Sequence, residues 1–315
     1  MTTIERKRKY DYEAFTNNVV KCETSEVPLK DVLLSEEDKN QYSLENFSTN
    51  GFYIGKIDPN EIDKFMVENG EDFHQLLVND QMRQPIFNEA ALEILKSSNI
   101  DQGRYQIPST MIKRGRLKSA ITNLSNIVRD KVVNELESDN KKVNDSDPFN
   151  VLLTINKTLK EKLQTETAQR FHEHMDNINN RKENSKDPDQ LLVPRQMIHV
   201  DLPYDDEYHN KYLTVLPLLK IGAKVRVVVA SHRYESWPEF MRRLVSTTDA
   251  KAAHRTIVIP LTYGEFICFH PKLVHSGWEA NFNVRLHTYI GFNSKKIKDN
   301  ATYYIPHLIY PYFRN

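Results

Sequence analysis

Hydrophobic and polar positions follow two different patterns along the chain, and the pattern changes near Leu191. Before that point apolar residues recur at helical spacing, as Ile62 and Phe65 do. This spacing predicts three helices, over 60–100, 111–137 and 150–175. After Leu191 short segments rich in Val, Ile and Tyr dominate, which is typical of strands. Six strands are predicted, over 196–202, 211–219, 224–230, 255–261, 264–270 and 284–292.

Shorter elements are predicted in the first half as well. The segment Gly51–Ile54 predicts a strand, and Asp58 with Pro59 predicts the start of a helix. Arg104–Pro108 is typical of a strand or a turn. Because 138–142 and 176–190 contain almost no apolar residues, we expect a linker and a mobile loop there.

These patterns together predict an α+β fold with a mainly β core, a sandwich or a small barrel, and supporting N-terminal and middle helices. We expect residues 1–45 to form a polar N-terminal extension and 46–315 to form a single domain. Within that domain a helical and polar insert covers about 111–190, and the β core covers about 191–295.

Composition narrows the class of protein. The chain has 315 residues, with 43 Lys and Arg against 43 Asp and Glu, so its formal net charge is zero. A neutral chain offers no phosphate-binding stripe, which argues against nucleic acid as a partner. No apolar stretch is long enough to span a bilayer. The two cysteines are far apart in the sequence, so they form no CxxC motif and predict no disulfide scaffold. We therefore expect no membrane association and a cytoplasmic location, with the basic run Arg6–Lys9 leaving a nuclear one open.

Chemistry is concentrated in the β-rich half. His199 and Asp201 are two apart on a predicted strand, so their side chains emerge on the same face. With His275 from a later strand end they form two imidazoles and one carboxylate, the facial triad of non-haem Fe(II) sites, which leaves room for a chelating co-substrate and O2. Arg285 follows on a predicted strand, and its guanidinium suits a carboxylate such as the distal one of 2-oxoglutarate.

Two other histidine groups compete for the metal. His270 is five residues before His275 and is the rival for the second histidine ligand. His172 and His174 are two apart on a predicted helix, where such residues point away from each other, so we interpret them as part of a solvated face.

The order His199-x-Asp201, His275 and Arg285 resembles the Fe(II)- and 2-oxoglutarate-dependent dioxygenases, and most of all their phytanoyl-CoA dioxygenase-like branch. Three further segments carry the likeness: Phe269–Gly277 (FHPKLVHSG) with its His-Pro and following His, the turn Val229–Arg233 (VASHR), and Phe47 with Asn50–Phe52 (NGF). Ala230 stands where the branch has glycine, and His287 stands where many relatives have serine.

The resemblance implies a double-stranded β-helix, a jelly-roll or cupin-like barrel. It implies Fe(II) held by His199, Asp201 and His275, O2 and 2-oxoglutarate as co-substrates, and decarboxylation to succinate and CO2 coupled to hydroxylation. Arg285 is the implied contact for the co-substrate. His287, Thr214 or Ser276 supplies the second contact.

The substrate stays open between several classes. A small organic molecule is favoured, and a protein side chain such as prolyl is the alternative within the same chemistry. The competing class is a non-catalytic, cupin-like module that binds a metal or a ligand without turnover. A protein-interaction domain built on the 100–190 helices is the third class, although no apolar patch marks it. The sequence predicts no oligomeric state.

Overall fold

The structure is a computed structural model. It describes residues 32–78, 88–90, 92, 104–136, 150–155, 196, 199–201, 211–220, 222–233, 256–278, 282–291 and 303–304. The predicted linker over 138–142, the predicted mobile loop over 176–190, the basic run Arg6–Lys9 and His172 with His174 lie outside these residues.

Within the described residues, helices and strands alternate as far as residue 136, and strands predominate after it. The helices are α1 (Phe47–Asn50), α2 (Pro59–Val78) and α3 (Gly115–Leu136). The first six strands are β1 (Val32–Leu33), β2 (Phe52–Lys56), β3 (Arg104–Pro108), β4 (Asn150–Ile155), β5 (His199–Val200) and β6 (Tyr212–Pro217). The others are β7 (Ala223–Val228), β8 (Thr256–Leu261), β9 (Glu265–Phe269), β10 (His275–Gly277), β11 (Phe282–Ile290) and β12 (Tyr303–Tyr304).

The strands form two six-stranded sheets. Sheet A has the order β1-β8-β7-β10-β5-β12, and sheet B has the order β2-β9-β6-β11-β4-β3. The described strand pairs are antiparallel except β1 with β8, which is parallel.

Strand β6 of sheet B is buried on both faces. Successive strand residues point to opposite faces. Leu213 and Val215 belong to a core shared with Val225 and Ile257 of sheet A, so they face the space between the sheets. Tyr212 and Leu216 belong to the other core. Sheet B is therefore the middle layer, with sheet A on one side.

Helices α2 and α3 cover the second face of sheet B. Each presents an apolar stripe at helical spacing. The stripe of α3 consists of buried residues: Leu117, Ile121, Leu124, Val128 and Val132. Together with Ile62 and Phe65 of α2 they pack against Phe266 and Leu286 of sheet B. The helices support the sheet, while the face toward sheet A is left for the functional side chains.

The predicted elements agree with the structure in most places and fail clearly at one. The helix predicted over 60–100 is confirmed only as far as Val78 in α2, because Asn88 is not helical. The helix predicted over 111–137 is confirmed as α3, and the strand at Arg104–Pro108 is confirmed as β3. The helix predicted over 150–175 is wrong at its start, where β4 pairs with β3 and β11. The run Val151–Ile155 is a short apolar run, and periodicity alone does not separate a buried strand from a helix in such a run.

Part of the expected N-terminal extension packs on the sheets. Leu34 is buried, and Tyr42 stacks on Phe52 with ring centroids 4.9 Å apart. Lys39 is buried and binds Glu265 at 2.7 Å. Packed structure therefore begins no later than residue 32, well before residue 46. Within the described residues, no helix has both the length and the hydropathy needed to cross a membrane.

Candidate metal centre

The candidate metal centre is built on two short neighbouring strands of sheet A. His199 on β5 lies directly opposite His275 on β10, and their ring centroids are 4.5 Å apart. Asp201 follows β5, two residues after His199, and therefore returns to the same face. Phe269 of sheet B contacts the His275 ring, with centroids 4.5 Å apart, so the group faces the space between the sheets.

The three side chains offer one ligand atom each to a common point. Nε2 of His199 lies 3.4 Å from Oδ1 of Asp201, and Nε2 of His275 lies 3.8 Å from the same oxygen. All three ligand atoms lie within 4.8 Å of one another. Neighbouring ligands at about 2.1 Å from one ion are about 3 Å apart, so a small adjustment closes this group around a metal.

The hydrogen bonding of His275 favours metal binding. Its Nδ1 lies 2.9 Å from the carbonyl oxygen of Leu273, which can only accept, so Nδ1 is the donor. Nε2 is then the unprotonated nitrogen, and it is the nitrogen nearest to Asp201. A backbone partner on the far nitrogen is the usual device that fixes the tautomer of a ligating histidine.

The ionisation states also fit a metal ligand set. Burial lowers the pKa of His275 to about 4, so its imidazole is neutral at neutral pH. Burial by itself raises the pKa of Asp201, but the interactions with His275 and His199 outweigh it and hold that pKa below its ordinary value. Metal ligands must be deprotonated, and these two residues are. Two imidazoles with one carboxylate are the ligands that Fe(II) takes in facial-triad sites.

Sheet B supplies two further side chains to the same interior. On β11, Val284, Leu286 and Ile290 belong to the core under the helices. Alternation therefore turns Arg285 and His287 toward sheet A. Arg285 is only 4% exposed. Burial, and then the charge of Arg285, lowers the pKa of His287 to about 3, so the ring is neutral.

His287 also carries an unsatisfied polar atom. Its Nε2 is buried and has no hydrogen-bond partner among the described residues. The ring interacts electrostatically with Asp201 and His275 as well as with Arg285, so it lies near both the arginine and the triad. A buried nitrogen without a partner is costly, and a bound polar ligand would satisfy it.

Arg285 reaches across the interior to the backbone of sheet A. A β-carbon on Gly277 would lie 3.3 Å from both Nη atoms of Arg285 and 3.2 Å from Oε1 of Gln196. Gly277 is two residues after His275 on the same face of β10. The guanidinium therefore sits about 7 Å along the strand from the metal histidine, since each residue rises about 3.4 Å.

Two predicted contacts lie on the wrong faces, which corrects the sequence analysis. Thr214 pairs with Thr288 on β11, and the Thr288 hydroxyl meets Ser125 of α3 at 2.6 Å, so this pair faces the helices. Ser276 follows His275 and projects outward, where Nε of Arg226 donates to its hydroxyl at 3.3 Å. Neither hydroxyl faces the triad, because the pleat places neighbours of inward residues outside.

The rival histidine His270 belongs to another cluster. Its ring lies 5.3 Å from that of His232, and its backbone N–H donates to Gly51. The turn between β7 and the 3-10 helix at Ser231–Arg233 holds Ala230 at a φ of 63°, in the left-handed region. This turn and His270 form a structural corner beside α1, apart from the group formed by His199, Asp201 and His275.

The contact between Gln196 and Gly277 was not predicted from the sequence. Gln196 is three residues before His199, and Gly277 ends β10, but nothing in their spacing indicates that they meet. The contact depends on the register of β5 against β10, which a two-residue strand does not reveal.

Comparison with known proteins gives structural likeness without sequence likeness. No protein-family model matches this sequence, and no curated protein does either. The chain is similar to the crystal structure of the non-heme alpha ketoglutarate dependent epimerase SnoN from nogalamycin biosynthesis, with a TM-score of 0.45, 12% identity, and coverage of 81% of this chain and 84% of that one.

Two more solved structures are similar over most of their length. EctD from S. alaskensis, solved with 2-oxoglutarate and 5-hydroxyectoine, gives a TM-score of 0.42 at 12% identity and covers 84% of this chain and 78% of its own. HygX from Streptomyces hygroscopicus, solved with nickel and 2-oxoglutarate bound, gives a TM-score of 0.40 at 10% identity, and the match covers 82% of this chain and 87% of that one.

Proposed function

We propose that this protein is an Fe(II)- and 2-oxoglutarate-dependent dioxygenase that hydroxylates a small organic molecule, with decarboxylation of 2-oxoglutarate to succinate and CO2. One observation carries the proposal. The group formed by His199, Asp201 and His275 shares one buried interior with the guanidinium of Arg285. A metal centre alone is compatible with many functions. A buried arginine at a distance from the centre that matches the length of a short dicarboxylate favours a co-substrate that chelates the metal at one end and binds the arginine at the other.

Each residue has a distinct role in this proposal. His199, Asp201 and His275 hold Fe(II), which supplies the activation of O2 when it is bound. Arg285 binds the distal carboxylate of the co-substrate through its planar fork of donors. His287 provides a second contact through its buried Nε2. Phe269 packs on His275 and keeps water from one side of the ring.

The architecture that we propose around this centre is a double-stranded β-helix of the phytanoyl-CoA dioxygenase-like branch. Sheets A and B enclose a common core and would be the two walls of the barrel. Within the branch, the turn Val229–Arg233 has glycine where this chain has Ala230. The left-handed φ of 63° at Ala230 is the conformation that glycine adopts most readily, which supports this alignment.

Burial of the centre favours a small substrate. His199 is 4% and His275 7% exposed, so a reacting group must enter the interior to approach the ion. A small molecule can do so, and so can a single protruding side chain of a protein. The zero net charge of the chain gives no support to a nucleic-acid substrate.

Anaerobic titration tests the proposal directly. The protein with Fe(II) and 2-oxoglutarate should show the weak visible charge-transfer band of the chelate, and aerobic incubation should release succinate slowly without added substrate. His199→Ala and Asp201→Ala should lose both signals, while Ser119→Ala on the exposed side of α3 should keep them. Screening metabolite and peptide pools for extra succinate release then identifies the substrate class.

Different results point to the competing interpretations. A metal that binds without any 2-oxoglutarate-dependent band would support the non-catalytic cupin-like module. Succinate release stimulated by peptides and not by metabolites would support the protein hydroxylase. Undiminished turnover of 2-oxoglutarate in Asp201→Ala would remove the triad from the mechanism.

A further inference from the structure

The segment His199–Asp201, which carries two of the candidate metal ligands, is held to β10 by very little regular pairing. β5 consists of His199 and Val200, and its register with β10 is defined by the single pair His199 and His275. Three residues upstream, the backbone N–H of Gln196 donates to the carbonyl oxygen of Gly277 at 2.9 Å. The connection thus extends past β5 through one glutamine.

The side chain of that glutamine completes a closed hydrogen-bonded ring. Oε1 of Gln196 accepts the backbone N–H of Gly277 at 3.1 Å, so both backbone groups of Gly277 bind the same residue. Gly277 is buried, and its N–H would be expensive to leave without an acceptor. A side-chain oxygen here takes the place of a strand carbonyl.

The same point of β10 supports the co-substrate arginine. A β-carbon on Gly277 would lie within 3.3 Å of Arg285 Nη1 and Nη2 and 3.2 Å from Gln196 Oε1. The guanidinium and the amide oxygen therefore meet on one glycine, two residues from His275. Because Gly277 lacks a side chain, the backbone, the amide and the guanidinium can share this position.

We infer that Gln196 is a positioning residue, which ties the segment bearing His199 and Asp201 to β10 at the place where Arg285 lies, and so keeps the metal ligands and the co-substrate arginine in one register. The inference deepens the proposed function and rests on it for the role of Arg285. It needs no contact between Gln196 and the metal or the co-substrate, since the glutamine acts through Gly277.

Two substitutions separate the parts of this role. Gln196→Ala removes the acceptor and leaves the Gly277 N–H unsatisfied. Gln196→Glu keeps an oxygen acceptor at the same place but adds a negative charge beside Arg285. Gln41→Ala replaces an exposed glutamine on the 3-10 helix Asp38–Tyr42 and is the matched control.

The measurement is binding, followed for two probes by calorimetry on the full chain. Mn²⁺ alone reports on the metal ligands, and 2-oxoglutarate added to the Mn²⁺-loaded protein reports on Arg285. For Gln196→Ala we expect dissociation constants about tenfold higher for both probes, because the register that binds them is then populated only part of the time. For Gln196→Glu we expect Mn²⁺ binding within about twofold of wild type and 2-oxoglutarate binding at least tenfold weaker.

Other outcomes would overturn the inference. Equal Mn²⁺ affinities of Gln196→Ala and Gln41→Ala would show that the hydrogen bonding of Gln196 to Gly277 has no effect on the metal ligands. If Gln196→Ala does not fold, Gln196→Glu decides, and a loss of Mn²⁺ as large as the loss of 2-oxoglutarate contradicts the separate roles. A wild-type protein that binds Mn²⁺ but no 2-oxoglutarate refutes the proposed function, while the Mn²⁺ comparison still decides the role of Gln196.

Discussion

His275 lies directly opposite His199 on neighbouring antiparallel strands, and Nε2 of each ring lies within 3.8 Å of the same oxygen of Asp201. Because this arrangement exists in the folded chain and not in the unfolded one, an ion that binds it stabilises the fold. At 100 times its dissociation constant, Mn²⁺ should raise the free energy of unfolding by about 2.7 kcal/mol.

Thermal unfolding with and without Mn²⁺ measures this effect. His275→Ala should lose most of the stabilisation by the ion. His270→Gln should keep it, because that histidine packs against His232 and is outside the group formed by His199, Asp201 and His275. Equal responses of the two variants to Mn²⁺ would contradict the assignment of the metal centre.

Ala230 occupies a left-handed conformation with a φ of 63°. This conformation costs a residue with a β-carbon about 1 to 2 kcal/mol, and glycine adopts it freely. Ala230→Gly should therefore raise the free energy of unfolding, by about 1 kcal/mol once the greater backbone entropy of glycine is subtracted. The same change at Ala120, within α3, should lower it by about 1 kcal/mol. Urea unfolding of both variants checks the opposite signs.

The Ser125 hydroxyl on α3 and the Thr288 hydroxyl on β11 are both buried and lie 2.6 Å apart. Ser125→Ala leaves the Thr288 hydroxyl without this partner and should cost about 1 to 3 kcal/mol of stability. The double variant with Thr288→Val should cost clearly less than the sum of the single changes, because both partners are then apolar. Urea unfolding of all four proteins completes the cycle, and simple additivity would contradict the contact.

Burial lowers the pKa of His232 to about 4 and that of His270 to about 3 in the folded protein. The unfolded chain protonates these rings near pH 6.5, so it binds more protons than the folded chain between pH 6.5 and those lower values. The contribution of these two rings to the free energy of unfolding should therefore be complete above pH 6.5 and decline as the pH falls. At pH 5 the loss should be about 1 kcal/mol for each ring, since both are partly exposed.

Urea unfolding at pH 7 and pH 5 tests the sign. His270→Gln should lose less stability between these two pH values than wild type, because glutamine does not titrate and can still accept the Lys272 N–H that Nδ1 accepts. An identical pH dependence in the two proteins would show that another group is responsible.

The sequence predicted the long elements because their patterns repeat. The apolar stripe of α3 repeats over about four turns. Strands β6 and β9 each carry enough apolar residues to be recognised from the sequence. β1, β5, β10 and β12 are two or three residues long, too short for any periodicity, although β5 and β10 carry the candidate metal histidines. Their positions follow from tertiary pairing, which local pattern does not encode.

The site shows the same division. The common face of His199 and Asp201 is predictable, because it follows from the two-residue period of a strand alone. The faces of Thr214 and Ser276 relative to the triad are not predictable in this way, because they are set by registers with β11 and β7. Gln196 requires a register as well, and so it became visible only in the structure.

The short length of β5 has a consequence for how often this part of the fold opens. Segments with few backbone bonds open first, and a protease or an exchange reaction reaches them during such openings. An ion on His199, Asp201 and His275 would hold this segment to β10 from the inside, so the loaded protein should open here less often than the empty one.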